Sequence, residues 1–195
     1  MKYPFLFFLF LLTVVISAQE PIKVTPLAIP PYPTVFSDYL GRTGDPVLLL
    51  TNTDPINDYA LMIGLEASGD NGISVRTNAR KQPTAAIKIQ PGETLMLTAD
   101  ELLDLYANHT QNDISYTGIE VRDVVQSQSI PEGTYTACVT AFDFESGQPL
   151  SLPGCTPPIN IRHLDPPIIT APQPNDIVEA GIPDFIRFNW TPVAG

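Results

Sequence analysis

The chain has 195 residues, a net charge of −11 and two cysteines. Such an acidic balance excludes attraction to nucleic acid or to an anionic membrane surface. Two cysteines are too few for a cysteine-rich scaffold, and the length allows one good core with part of a second domain.

The chain opens with Lys2 and then "FLFFLFLLTVVIS", a run without charge that ends near Ala18–Gln19. This is the layout of a secretory signal peptide over residues 1–18. The run is shorter than the ~20 residues a bilayer-spanning helix needs. Cleavage removes one lysine and no acid, so the charge becomes −12. The expected location is therefore exported, in the periplasm or at the cell surface, with no direct transmembrane span left after cleavage.

Residues 19–46 follow as a proline-rich extended leader, because each proline fixes its own φ and disfavors helix in the residue before it. Leu27 and Ile29 are candidates for packing on a sheet edge. Tyr32, Phe36 and Tyr39 form a candidate interaction surface, although such aromatics often pin a leader to a core.

Residues 47–163 read as strands: "PVLLLTNT", "YALMIGLEAS", "ISVRTN", "AAIKIQ", "TLMLTA", "ISYTGIEVR", "TYTACVTAFD" and "CTPPINI". Short strands separated by glycine and proline turns predict an all-β sandwich. Ile87, Ile89, Leu95 and Leu97 flank the Pro91–Gly92 turn and are expected to face inward. "TADELLDLYANHT" breaks the pattern as one short helix. Thr98 is its cap and Glu101 its capping-box partner. Two turns are too few to stand alone, so the helix is expected to plug an opening between the sheets.

In "IPEGTYTACVTAFDFESG", Tyr135, Ala137, Val139 and Ala141 alternate on one face, and Cys138 falls on the other. Three readings compete for Cys138: thiol nucleophile, metal ligand or staple. A nucleophile needs a base, and neither His109 nor His163 stands in a pairing context. Two isolated histidines with two cysteines make a poor zinc set. The staple leads. Cys138 and Cys155 enclose a hairpin-sized span in an exported chain, where disulfides persist. The bond should join neighbouring strands on the outer face, with Cα atoms about 4.4–6.8 Å apart.

Asp54 with Asp58, and Asp143 with Glu145, lie in acidic turns without the spacing of a calcium loop. No catalytic constellation, metal set or cofactor motif is found, and a non-enzymatic role is expected.

Residues 164–195 begin with paired prolines and end in "FIRFNW", where Ile186, Phe188 and Trp190 share the expected core face. They read as a linker and the first strands of a second, unfinished sandwich in a longer protein.

The "TYTACVTAFD" strand resembles the penultimate strand of fibronectin type III domains, with Tyr135, Val139 and Ala141 on the matching positions. "PPIITAPQPND…FIRFNWTPV" is similar to the start of type III-like modules in very large surface proteins of Bacteroidota, some of which accompany type IX secretion and gliding systems. The resemblance covers residues 130–195 well and the earlier body loosely. It implies an immunoglobulin/fibronectin type III-like sandwich. It also implies a structural or interaction role with protein partners in the cell envelope. Type III modules serve many proteins, so two alternatives stand beside it. One is a carbohydrate-binding or adhesin module, using Tyr32, Phe36, Tyr39, Tyr59 and Tyr116 on a glycan. The other is an accessory region of a secreted hydrolase.

Overall fold

A computed structural model describes residues 20–35, 38, 42, 44–78, 81–163, 169–172, 177 and 187–191. The signal-peptide reading, Phe36, Tyr39 and Ile186 lie outside these residues.

The fold is mostly β, with two sheets and short helices. The first sheet has the order β1-β2-β6, from Ile22–Pro26, Pro46–Asn52 and Thr94–Thr98. The second contains β3 (Tyr59–Gly69), β4 (Ser74–Thr77), β5 (Ile87–Ile89), β7 (Ile114–Thr117), β8 (Gly133–Asp143), β9 (Gly154–Cys155) and β10 (Ile159–Ile161). Its main path is β10-β8-β3-β4-β7, with β5 on β3 and β9 on β8. Every pairing in these two sheets is antiparallel. A separate pair joins β11 (Ile169–Ala171) to β12 (Asn189–Trp190). Trp190 and Phe188, expected on a core face, are 61% and 51% exposed there.

The extended leader contributes more than an edge contact. Its first segment is β1, whose alternation sends Ile22 and Val24 into the core. They meet Leu48 and Leu50 of β2, Leu61 of β3, Ile87 and Ile89 of β5, Leu97 of β6, and Val139 and Ala141 of β8. Both sheets therefore supply one continuous apolar cluster, the main favourable term in such a fold. The residues flanking Pro91–Gly92 face inward as expected: Ile87, Ile89 and Leu97 are buried and Leu95 packs against them. Their strands part company, since β5 joins β3 while β6 joins β2. Gly92 turns the chain from one sheet to the other at φ +69°, a conformation that glycine adopts without a Cβ penalty.

Two α-helices and a 3-10 turn (Gln111–Asp113) sit between β6 and β8. The first, α1 (Ala99–Leu105), is the expected one. The Glu101 carboxylate accepts from both the backbone N–H and the hydroxyl of Thr98, each at 2.9 Å. At its far end the N–H and hydroxyl of Thr84 donate to the Leu105 carbonyl. The second, α2 (Val121–Ser127), replaces the later part of a stretch that reads as a strand in "ISYTGIEVR". Only Ile114–Thr117 extends, and Gly118 at φ +76° ends it. A Cβ on Gly118 would stand 2.3 Å from the Gly72 carbonyl oxygen.

Candidate functional site

The disulfide is present. Cys138 and Cys155 face each other across β8 and β9, and no described cysteine is free. The Thr156 N–H donates to the Ala137 carbonyl. This makes 137/156 the hydrogen-bonded pair and 138/155 the adjacent non-bonded pair, where antiparallel strands approach to about 4.5 Å. The Cα separation is 4.0 Å, shorter than the range expected from sequence. Val139 and Ala141 are buried on the opposite face. The bond therefore joins neighbours on the outside of the sheet, as strand periodicity predicts.

Next to it, Gly154 lets the two sheets touch. A Cβ there would lie 2.1 Å from the Val24 carbonyl oxygen of β1. Close by, the Ile22 N–H donates to the Leu150 carbonyl at 3.1 Å. The staple thus holds the returning chain where β1 crosses it.

Hydroxyl groups complete strand edges in two places. On β8, Ser151 Oγ accepts from the Ala141 N–H at 2.9 Å, and Thr156 Oγ1 accepts from the Ala137 N–H at 3.2 Å. On β3 the partner strands β5 and β4 leave a gap around Ile63 and Leu65. Tyr106, at the end of α1, fills half of it. Its phenol accepts from the Ile63 N–H at 2.7 Å and donates to the Ile63 carbonyl at 3.0 Å. Burial raises the Tyr106 pKa to about 12, because a phenolate would lose its hydration there. Thr77 Oγ1 accepts from the Leu65 N–H at 2.8 Å and fills the other half.

The same gap opens into an apolar cavity of about 460 Å³. Its floor is the inner face of the large sheet: Ile159 of β10, Ala137 and Val139 of β8, Ile63 and Leu65 of β3, and Thr77 of β4. Val47 and Leu48 of β2 form the facing wall. The leader after β1 and helix α1 form the sides, through Leu27, Ile29, Leu102 and Leu103. Helix α1 therefore borders the opening between the sheets and leaves part of it unfilled. The mouth is open to solvent, with Ile29, Leu65 and Leu103 between 39% and 48% exposed. A closed void costs about 24 cal/mol per Å³, so one of this size would cost ~10 kcal/mol. That is comparable to the whole stability of an ordinary domain.

Of the sequence-predicted interaction surface, Tyr32 is half-buried and lines this cavity. Tyr59 donates its hydroxyl to Asp54 at 2.9 Å, in the loop after β2. Tyr116 lies on β7, at the edge of the large sheet. The three are half-buried on separate elements and form no aromatic row.

The acidic turns are built from internal hydrogen bonds. Asp54 accepts from the Asn57 side chain, the Ile56 and Asn57 N–H groups and Tyr59. Those donors, Asn57 first, hold its carboxyl well below the usual range. Buried Asn52 ties the same loop to the Gln90 carbonyl. Asp143 is lowered in the same way by the Ser146 hydroxyl and N–H. His163 contacts the Ile130 carbonyl through Nε2, and its N–H donates to Glu132. His109 contacts Asn108. The described residues contain no group of three metal-ligating side chains. They also contain no helix long and apolar enough to cross a membrane.

Sequence reasoning missed the cavity. Its one available signal was Tyr106, four residues from Leu102 on the apolar face of α1 yet carrying a hydroxyl that burial obliges to find partners. No protein-family model, curated protein or solved structure matches the chain.

Proposed function

We propose that this chain is a non-catalytic structural and interaction region of an exported envelope protein, built on a fibronectin type III-like sandwich. The observation that carries the reading is the Cys138–Cys155 bond. A disulfide that staples a returning strand suits an oxidising compartment and not a reducing cytosol. The N-terminal apolar run of the sequence points to the same export.

The type III-like assignment draws on two further features. Strands β1, β2 and β6 make one sheet, while β10, β8, β3 and β4 line up in the other. Tyr135, at the start of β8, donates its hydroxyl to the Pro131 carbonyl four residues upstream at 2.9 Å. Sandwiches of this class use such a tyrosine to fix the corner before the penultimate strand. The likeness to surface proteins of Bacteroidota with type IX secretion or gliding systems extends this reading. The role is to hold a partner within the envelope, not to transform it. The contact region is the open end of the sandwich, where Tyr32 and the leader meet α1.

Fractionation of cells producing the full chain, followed by peptide mapping without reductant, tests the proposal. The expected result is a Cys138–Cys155 peptide pair in protein from the envelope or medium. Cytosolic protein with both thiols free would overturn it.

A further inference from the structure

We infer that the cavity at the open end is a binding site for a single acyl chain. The inference deepens the binding reading above, and it rests on the shape and lining of the space.

The floor crosses four neighbouring strands, from Ile159 on β10 to Thr77 on β4. Three interstrand steps of about 4.8 Å give a length of roughly 14 Å. A volume of about 460 Å³ over that length leaves a mean cross-section on the order of 30 Å², a width that suits one extended chain.

The lining has the matching chemistry. Leucine, isoleucine and valine from both sheets, the leader and α1 supply the walls. The hydroxyls of Tyr106 and Thr77 are turned to the β3 backbone, so they are engaged before any ligand enters. Arg42 and Asp45, of opposite sign, are the two charged residues among the lining. The selection is thus for the chain, with little preference for the sign of its head group. The Arg42 guanidinium donates to the carbonyls of Ile29 and Pro31 at 3.2 and 2.7 Å, fixing the leader along one side. The exposed side chains of Ile29 and Leu103 make an apolar lip through which a chain enters, and Leu65 is the exposed end of the floor. An apolar lining of this kind accepts apolar molecules, and the open mouth gives them a way in.

Two sources supply such a chain: a free fatty acid or a bilayer lipid. Calorimetric titration of the full-length protein with dodecanoate, below its micelle concentration, addresses the first. Flotation with phosphatidylcholine vesicles addresses the second. Three variants accompany the wild type. Leu103→Glu places a charge on the lip at an exposed helix position, where the fold tolerates it. Ala137→Leu fills the floor. Met96→Glu changes an exposed apolar residue of β6 away from the cavity. The expected result is saturable one-to-one binding of dodecanoate, weakened at least tenfold by Leu103→Glu and Ala137→Leu and less than twofold by Met96→Glu. Vesicle association with the same variant pattern assigns the chain to a bilayer lipid, and dodecanoate binding alone assigns it to a free acid. If Ala137→Leu fails to fold by circular dichroism, Leu103→Glu decides the matter. Absence of binding to both probes overturns the inference, as does equal weakening by Met96→Glu. Either failure leaves the location and the disulfide mapping of the full chain standing as a separate result.

Discussion

The same two sheets build both ends of the fold, yet the ends differ. At one end, Leu50, Leu61, Ile89 and Ala141 are fully buried. At the other, Leu65 lies on the same face of β3 as Leu61 and is 39% exposed. The difference comes from what faces them. Leu61 is opposed by β1, β2 and β6 residues of the core cluster. Leu65 faces the leader and α1, which stand apart around the cavity. Alternation fixes which way a side chain points. The reach of the opposing sheet fixes whether anything meets it.

Truncation at matched positions breaks or sharpens this comparison most directly. Leu61→Ala should cost about 2–5 kcal/mol, as for a filled core site. Leu65→Ala should cost less than about 1 kcal/mol, because part of its surface is already in water. Urea unfolding of the two variants measures both. Equal losses would mean that the open end is packed like the closed one.

The staple is next in size. Replacing Cys138 and Cys155 by alanine should lower stability by roughly 2–4 kcal/mol, since the bond closes a loop of 17 residues and restricts the unfolded chain. Hydrogen exchange should show faster opening in 149–156, with β3 and the centre of β8 still protected. Uniform loss of protection would show that the bond holds the whole sheet.

Tyr106→Phe probes the join between the ends. It strips both bonds from the Ile63 backbone and should cost about 1–3 kcal/mol. The pH dependence supplies a second reading. The folded pKa of about 12 lies above the ordinary phenol value of 10.0. The folded state therefore favours the protonated phenol, and this stability is complete below pH 10. It is lost as pH rises from 10 through 12. Alkaline unfolding curves should be steeper for the wild type than for Tyr106→Phe. Identical slopes would place the phenol in water.

The smallest effect is expected at Asp54, in the loop beside the closed end. Its folded pKa lies below the ordinary value, so its contribution is present above about pH 4 and is lost as pH falls. Asp54→Asn should flatten the acid limb of the stability profile. An unchanged acid limb would show that the loop hydrogen bonds do not favour the ionised form.

The local rules in the sequence carry well into the fold where a few neighbouring residues decide the outcome. The alternation of Tyr135 to Ala141 gives the buried face of β8 and hence the outward position of Cys138. Thr98 and Glu101 give the start of α1. The reading weakens where distant segments compete. Val24 sits in a proline-rich stretch and still enters the core, because β2 offers it a ladder and Gly154 leaves it room. The stretch 114–122 reads as one strand, but Gly118 turns the chain out of the sheet and α2 takes up its last two residues. The open end was hidden for the same reason. A cavity is a relation among strands of both sheets, a helix and a leader, and no short window contains it. Of the expected interaction residues, Tyr32 belongs to that cavity, while Phe36 and Tyr39 lie outside the described residues.

The hydroxyls on β3 have one more consequence. A stretch of strand with open N–H and C=O groups is a template on which another chain can grow a sheet. Around Ile63 and Leu65 that template is already taken, by one phenol and one threonine from within the chain. The protein can leave apolar surface uncovered beside this stretch without inviting a second strand to seal it. Protection against self-association is thereby separated from the filling of the core, and the two can vary independently.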